Sequence, residues 1–156
     1  MKKRILFVCT GNICRSPTAE GVFTLFAQKL GLADDFEFES AGTHRYHIGS
    51  PPDPRAISIA SERGYDISSL RAKQVKPEDF ENYDYIFALD RGHLASLRRL
   101  RINNSKAQLA MLSSLVADAE YPYDIPDPYY KGGQEFAYVL ELIELAAENF
   151  FKSIRE

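Results

Sequence analysis

A short apolar run followed by a polar loop and an amphipathic segment constrains the fold of this chain more than any other feature. Residues 5–8 (Ile-Leu-Phe-Val) have the length and composition of a buried β-strand. Apolar residues at helical spacing resume after Pro17. Residues 8–17 are therefore predicted to connect a strand tightly to a helix, where unpaired backbone N–H groups at the helix N-terminus bind anions.

The two ends of this loop carry residues suited to reactions of anions. Cys9 opens the loop and Arg15 closes it, and no proline between them removes a backbone N–H. Gly11 and Asn12 tolerate the left-handed backbone angles that a tight curl requires. A thiol beside a helix N-terminus and a guanidinium ionises more readily than a free thiol. We therefore predict a cysteine nucleophile in an oxyanion-binding loop, although a lone cysteine is more often a core residue.

Composition limits the classes of function. At 156 residues the chain is close to the usual single-domain size of ~150 residues, and we expect one domain over residues 1–156. A net charge of −3 argues against binding nucleic acid or membranes through overall charge. The basic start precedes an apolar run too short for a signal peptide, and no apolar stretch approaches the ~20 residues that span a bilayer. We expect a cytoplasmic monomer.

The cysteines and histidines do not form a metal-binding pattern. Cys9 and Cys14 lie in the same loop, whereas a zinc site needs further clustered ligands and a disulfide framework links distant segments. The three histidines lack the spacing of metal-ligand pairs. The sequence predicts neither a metal nor another cofactor.

Short apolar runs alternate with amphipathic stretches along the chain, which is typical of α/β folds. Ser16 is predicted to be the N-cap of the first helix. A small parallel sheet covered on both faces would bring Cys9, Ser40 and Asp90 together at the carboxyl ends of its strands, where ligands bind. We predict strands at residues 4–8, 36–41, 85–89 and 107–112, helices at 17–30, 54–63, 92–100 and 134–155, and a long irregular loop at 113–133.

A candidate acid lies in the long loop. A thiolate that attacks phosphorus expels an alkoxide or phenolate, so an acid must reach the leaving oxygen. Asp127 stands between two prolines, and Tyr129 and Tyr130 follow it, with rings that could line a pocket for an aromatic leaving group. On composition alone, Asp-Pro is more often simply a turn.

Five groups of residues resemble one family. Residues 8–17, with Ala19-Glu20 after them, are similar to the loop of the low-molecular-weight protein tyrosine phosphatases. The resemblance includes residues 40–43, 53–55, 84–86 and 127–130 and extends from about Arg4 to the final helix. It implies a single three-layer α/β domain whose four-stranded parallel sheet has the order 2-1-3-4. It also implies that the chain hydrolyses phosphotyrosine in proteins. Its expected partners are therefore proteins that contain phosphotyrosine.

The resemblance assigns catalytic roles to three residues. Cys9 is implied as the nucleophile that forms a thiophosphate, and Arg15 as the ligand of the phosphoryl oxygens. Asp127 is implied as the general acid and then as the base for the hydrolytic water. Ser16 is expected to hydrogen-bond the Cys9 sulfur, which favours the thiolate.

The resemblance also implies supporting and substrate-binding residues. Asn12 and Ser40 are expected to pair and hold the backbone of the loop, with support from Asp90. The expected substrate-binding residues are Thr10, Gly11, Asn12, Ile13, Cys14, Ser16, Tyr46, Tyr129 and Tyr130. Of these, Tyr46 belongs with His47 to the segment that should form a pocket wall.

Three residues keep two interpretations. Cys14 either traps an oxidised Cys9 as a reversible disulfide, as the resemblance implies, or packs as a small apolar residue. Tyr129 and Tyr130 resemble the paired phosphorylation sites of the family, but as pocket walls they need no such role.

The chain departs from the family pattern at two positions. Leu70 stands where the family often has a histidine in the network around the loop, so that network is expected to be thinner. The common Asp-x-x-Asn motif has His93 in place of its asparagine, and His93 is expected to be structural rather than functional.

Two other enzyme classes and a binding module share parts of this pattern. Arsenate reductases relay a disulfide through cysteines downstream of the loop, and this chain has none after Cys14. Protein arginine phosphatases share Thr10 but carry threonine at the position of Ile13, so Ile13 favours phosphotyrosine, as do the paired tyrosines. A binding module without catalysis would not need an acid together with a nucleophilic cysteine.

Overall fold

The computed structural model describes residues 2–116 and 123–155. The middle of the predicted long loop, residues 117–122, lies outside the described residues. The strands are β1 (Lys3–Cys9), β2 (Phe36–Gly42), β3 (Tyr85–Ala88) and β4 (Gln108–Met111), and the helices are α1 (Arg15–Lys29), α2 (Pro54–Glu62), α3 (Asp79–Asn82), α4 (Arg91–Leu100) and α5 (Gly133–Arg155). A 3-10 turn, Leu112–Leu115, follows β4.

Every predicted strand and helix is present, with bounds that differ by at most two residues. Helix α3 and the 3-10 turn are additions, and each is only four residues long. Elements of that length show no periodicity by which a sequence pattern could identify them.

The sheet has four parallel strands in the order β2-β1-β3-β4, which confirms the predicted order 2-1-3-4. Strand β1 lies in the middle and pairs with β2 and β3 on its two sides. The register places Cys9 beside Gly42 and Val8 beside Ala88. The carboxyl ends of the three strands therefore meet at one edge of the sheet.

Helices cover both faces of the sheet, which explains the uninterrupted apolar run in β1. Ile5 and Phe7 face a core built with α1, α2 and α5, whereas Leu6 and Val8 face a second core built with α3 and α4. All four side chains are fully buried. Burial of this kind stabilises each of them by about 1.5–3 kcal/mol relative to exposure.

The start of α1 differs from the prediction that Ser16 is its N-cap. The helix begins at Arg15, and the N-cap residue is Cys14, whose side chain makes no capping hydrogen bond. Ser16 lies inside the first turn, and its hydroxyl group binds Cys9 and Asn12 in the loop instead of capping the helix. The backbone N–H groups at this end of α1 therefore face the loop, and the side chain of the N-cap residue does not bind them.

No helix within residues 2–116 and 123–155 is both long and apolar enough to cross a membrane.

Candidate active site

The loop between β1 and α1 is held by backbone contacts with the end of β2. Thr43 N donates to Cys9 O at 2.9 Å, and His44 N donates to Thr10 O at 3.0 Å. Gly42 ends β2, and a Cβ atom there would lie 2.7 Å from Thr10 O. Only glycine permits this approach, so the end of β2 fixes the path of the loop.

Asn12 gives the loop its sharp curl. It has a φ of 59° and is buried, so the expected left-handed angle occurs at Asn12. Its side chain compensates by making two hydrogen bonds: Nδ2 donates to Ser16 Oγ at 2.8 Å, and Oδ1 accepts from Lys73 N at 3.0 Å. A buried amide bonded on both sides holds a strained backbone angle in place.

The expected pairing of Asn12 with Ser40 is wrong. Ser40 Oγ instead donates to Glu20 Oε1 at 2.7 Å, and the Asn12 amide is already bound to Ser16 and Lys73. Burial raises the pKa of Glu20 to about 7, although the hydrogen bond from Ser40 opposes this shift. Ser40 thus supports α1 through Glu20 and contacts the loop only indirectly.

Cys9 is buried at the floor of the loop, and its Sγ lies 2.9 Å from Ser16 Oγ, which confirms the expected contact. Asn12 Nδ2 supplies a hydrogen bond to the same hydroxyl oxygen. The single hydroxyl proton of Ser16 has two acceptors in range, the Cys9 sulfur at 2.9 Å and Ala41 O at 3.3 Å, and the sulfur is the nearer of the two. A hydrogen bond of this kind stabilises a thiolate more than a thiol.

Arg15 is buried and held on one side of its guanidinium. Its Nη1 donates to Asp90 Oδ2 at 2.8 Å and to Ile125 O at 2.9 Å. Its Nη2 lies 3.6 Å from Asp127 Oδ2 and 3.5 Å from Thr10 Oγ1. These longer contacts leave the Nη2 side of the guanidinium turned toward the mouth of the loop.

Asp90 lies two residues after β3 and caps α4, and it orients both Arg15 and His93. Its Oδ1 accepts from His93 N at 2.9 Å. Burial alone would raise the pKa of Asp90, but the His93 amide and the Arg15 guanidinium bring it below the usual range. The predicted support of the loop by Asp90 thus takes the form of an ion pair with Arg15.

His93 contacts the loop directly, which the sequence interpretation missed. Its Nε2 lies 2.8 Å from Thr10 Oγ1, and its Nδ1 lies 3.2 Å from Asp90 Oδ1. Burial and the nearby Arg15 guanidinium lower the pKa of His93 to about 4, so the ring is neutral at pH 7. The neutral ring hydrogen-bonds the Thr10 hydroxyl group at Nε2, whereas Nδ1 is buried and has no hydrogen-bond partner among the described residues. The position of His93 three residues after the helix-capping Asp90 was the available signal.

The loop opens into a cavity of about 320 Å³. Two of the predicted substrate-binding residues, Asn12 and Ser16, are buried and do not line the cavity, because their side chains bind groups behind the loop. The lining consists of Cys9, Thr10, Gly11, Ile13, Cys14, Arg15, Tyr46, His47, Asp127, Tyr129 and Tyr130. A larger apolar cavity of about 550 Å³ lies between α1 and α5. It contains no nucleophile beside an arginine, so the smaller cavity is the better candidate for chemistry.

Asp127 lies at the mouth of the cavity. Its side chain is 48% exposed, and its Oδ1 accepts from Tyr129 N at 3.0 Å. The rings of Tyr129 and Tyr130 stand edge to face, with centroids 4.8 Å apart. Tyr46 and His47, from another segment of the chain, also line the cavity. The cavity therefore has a polar floor and aromatic walls, with a carboxyl group at the rim.

Cys14 is buried and, like Cys9, carries a free thiol. Burial raises the pKa of Cys14, which favours its protonated form. Its side chain belongs to the core as well as to the cavity lining. Cys14 therefore packs as a small buried residue, while its disulfide with an oxidised Cys9 stays a prediction.

Within the described residues, no group of three or more histidine, cysteine or carboxylate side chains is placed to hold a metal ion. The groups that can bind an anion here are the backbone N–H groups of the loop and the guanidinium of Arg15.

Known proteins are similar to this chain in sequence and fold. The family model described as low molecular weight phosphotyrosine protein phosphatase matches residues 4–156. A low molecular weight protein-tyrosine-phosphatase of Streptomyces coelicolor is 40% identical over 158 residues, which cover 100% of this chain and 96% of that protein.

Two solved structures are similar over almost their whole length. A protein tyrosine phosphatase from Entamoeba histolytica has a TM-score of 0.92 and 34% identity, with 99% of this chain and 97% of that chain covered. A Drosophila arginine phosphatase also has a TM-score of 0.92, with 29% identity and coverage of 100% of this chain and 99% of that chain.

Replacing His93 by asparagine should remove a pH-dependent contribution to stability. The pKa of His93 is about 4 in the folded protein and 6.5 without perturbation. As the pH falls below 6.5, the unfolded chain takes up a proton that the folded protein excludes, so the free energy of unfolding decreases toward pH 4. At about pH 4.5 we expect this loss to reach roughly 2 kcal/mol.

Titration of Glu20 changes the free energy of unfolding in the opposite direction to that of His93, so the test compares variants at both positions. Its raised pKa lets the folded protein hold an extra proton between about pH 7 and pH 4.5, which increases stability as the pH falls through that range. Urea unfolding of the unsubstituted, His93→Asn and Glu20→Gln proteins separates the two groups. The stability advantage of the unsubstituted protein over His93→Asn should shrink on acidification; an advantage that stays constant with pH would refute the assignment.

Proposed function

Because the chain belongs to the low molecular weight phosphotyrosine protein phosphatase family, we propose that it hydrolyses phosphotyrosine in proteins through a phosphorylated Cys9. The observation that carries this proposal is the meeting of Cys9, Arg15 and Asp127 in one aromatic-walled cavity. We further propose that it works as a single cytoplasmic domain, as a monomer and without a metal.

In the first step, the Cys9 thiolate attacks the phosphorus atom. An S–P bond forms while the bond from phosphorus to the tyrosine oxygen breaks. The loop N–H groups and the Nη2 side of Arg15 bind the phosphoryl oxygens as their charge changes. Asp127 donates its proton to the leaving oxygen, because a phenol with a pKa of ~10 leaves poorly as an anion.

In the second step, water attacks the phosphorus atom of phosphocysteine. The S–P bond breaks, its electron pair returns to sulfur, and the Asp127 carboxylate takes the proton from the water. The hydroxyl group of Ser16, 2.9 Å from Cys9 Sγ, stabilises the departing thiolate. The products are inorganic phosphate and the free enzyme, so no external reactant other than water is consumed.

The walls of the cavity support an aromatic substrate. Tyr129 and Tyr46 stand on different segments that border the loop, and a phenyl ring can pack between such side chains. Ile13 adds an apolar group at the floor, where a hydroxyl group would instead favour a polar substrate. Together they favour phosphotyrosine over phosphoserine, whose shorter side chain lacks a ring.

Hydrolysis of phosphoarginine is the second candidate. It is favoured by the structural similarity to the Drosophila arginine phosphatase and by Thr10 after the nucleophile. However, Thr10 is already bound to His93, and its hydroxyl group contacts Arg15 only at 3.5 Å. Ile13 and the paired tyrosines favour phosphotyrosine as the main substrate.

Replacing Cys9 by serine should abolish turnover but leave ligand binding. Serine is a weak nucleophile at neutral pH, so kcat should fall by ~10³-fold or more. Calorimetry should still detect binding of a phosphotyrosine peptide, and the unsubstituted protein should keep its activity in a metal chelator. Comparable turnover by Cys9→Ser, or activity lost to the chelator, would refute the mechanism.

Substrate choice is tested with phosphotyrosine, phosphoserine and phosphoarginine in peptides of one flanking sequence. Phosphotyrosine should give the highest kcat/KM, by ~10-fold or more. Ile13→Thr should shift the preference toward phosphoarginine, because it exchanges an apolar contact for a hydroxyl group. If the unsubstituted protein releases phosphate fastest from phosphoarginine, the second candidate is correct.

A further inference from the structure

We infer that Arg55 is a positioning residue of the active site, which anchors residues 127–131 and thereby aims the Asp127 carboxyl group at the leaving oxygen. This inference rests on the proposed function, because the direction of Asp127 matters only if Asp127 is the acid. Arg55 does not line the cavity, and its role is exerted through the backbone that carries Asp127.

The guanidinium of Arg55 binds two backbone carbonyls just after Asp127. Its Nη2 donates to Tyr129 O at 2.9 Å, and its Nη1 donates to Lys131 O at 3.2 Å. It also lies 4.7 Å from the ring centroid of Phe136 and 5.6 Å from that of Tyr129. A planar guanidinium can make all of these contacts at once.

Arg55 is itself fixed to the anion-binding loop through Asp53. The Asp53 carboxylate accepts from Arg55 N at 2.8 Å, from Nε at 3.0 Å and from Nη2 at 2.9 Å. These bonds hold the pKa of Asp53 below its usual range, so it stays charged. Asp53 N in turn donates to Ile13 O at 2.7 Å. A continuous set of hydrogen bonds therefore runs from the loop through Asp53 to Arg55.

The Asp127 carboxyl group has two polar contacts, Tyr129 N at 3.0 Å and Arg15 Nη2 at 3.6 Å, and the shorter one is made with the segment that Arg55 anchors. Asp127 Oδ1 accepts from Tyr129 N, and Arg55 holds the carbonyl of the same residue. Upstream, Ile125 is fixed by Leu89 and Arg15, at 2.9 Å in each case. The Asp127 side chain is 48% exposed, so packing restrains it little. Removing Arg55 would take away the side-chain hydrogen bonds to residues 129 and 131, and would leave the buried ring of Pro128 as the contact just after Asp127.

A misdirected acid affects substrates according to their leaving groups. A positioned general acid accelerates the reaction by ~10²–10⁴-fold, and a displaced carboxyl group loses part of this acceleration. Phosphotyrosine needs the proton, whereas the dinitrophenolate released from dinitrophenyl phosphate leaves without it. A loss of overall folding would instead reduce both rates together.

The test measures kcat/KM for a phosphotyrosine peptide and for dinitrophenyl phosphate with Arg55→Ala, Arg55→Lys and the control Arg63→Ala. Arg63 matches Arg55 because both side chains are 43% exposed and ion-paired, but Arg63 binds Glu144 on α5, away from the cavity. Because both substrates report on the same active molecules, their ratio is independent of any unfolded fraction.

Arg55→Ala should lower kcat/KM for phosphotyrosine by ~10-fold and that for dinitrophenyl phosphate by less than ~2-fold. Arg55→Lys should lower kcat/KM for phosphotyrosine by less than Arg55→Ala does but should not match the unsubstituted protein, since an ammonium group cannot span two carbonyls as a guanidinium does. Arg63→Ala should leave the ratio unchanged. In an Asp127→Ala background, Arg55→Ala should add less than ~2-fold, because the two changes remove the same interaction.

Equal losses for both substrates, or a ~10-fold loss that persists without Asp127, would overturn the inference. If the unsubstituted protein hydrolyses phosphotyrosine but Arg55→Ala leaves its rate unchanged, the inference fails and the proposed function stands. If the unsubstituted protein does not hydrolyse phosphotyrosine, both fail.

Discussion

A guanidinium buried at the floor of a cavity must be paired, and the pairing of Arg15 determines where three segments of this protein meet. Leaving such a charge without partners costs several kcal/mol. The end of β3 supplies Asp90, and the segment before Asp127 supplies the carbonyl of Ile125. Both partners bind Nη1, so the same bonds that satisfy the charge also turn Nη2 toward the cavity. Stability and ligand binding therefore depend on one side chain.

The parts of the fold that could be predicted are those whose cause lies within a few residues. The run from Ile5 to Val8 predicts a strand buried on both faces, because each residue meets a core on one side. Apart from the N-cap of α1, the wrong predictions concern side chains whose partners are distant in sequence. The family resemblance implies a hydrogen bond between Asn12 and Ser40, but the side-chain oxygen of Asn12 accepts from the backbone N–H of Lys73, 61 residues away. No local sequence pattern predicts which of several polar groups will hydrogen-bond a buried amide.

The site divides in the same way. Cys9 and Arg15 could be identified because a strand, a loop and a helix N-terminus stand together in sequence. Asp127 required a resemblance to a known family, since an aspartate between prolines is otherwise a turn. His93 and Arg55 act through contacts that span 83 and 74 residues, to Thr10 and Tyr129. Each of these residues follows a helix-capping aspartate. The cap could be recognised in the sequence, but the distant group that His93 or Arg55 contacts could not.

The central claim is that the phosphoryl group passes through the Cys9 sulfur, and trapping that species tests it most directly. The Asp127→Ala protein mixed with dinitrophenyl phosphate should complete the first step, which needs no acid, and stall before hydrolysis, which needs a base. After rapid quenching in a neutral denaturant and digestion at neutral pH, mass spectrometry should find one phosphoryl group on the peptide that contains Cys9. A phosphoryl group on a histidine, or a burst of dinitrophenol with Cys9 unmodified, would contradict this account.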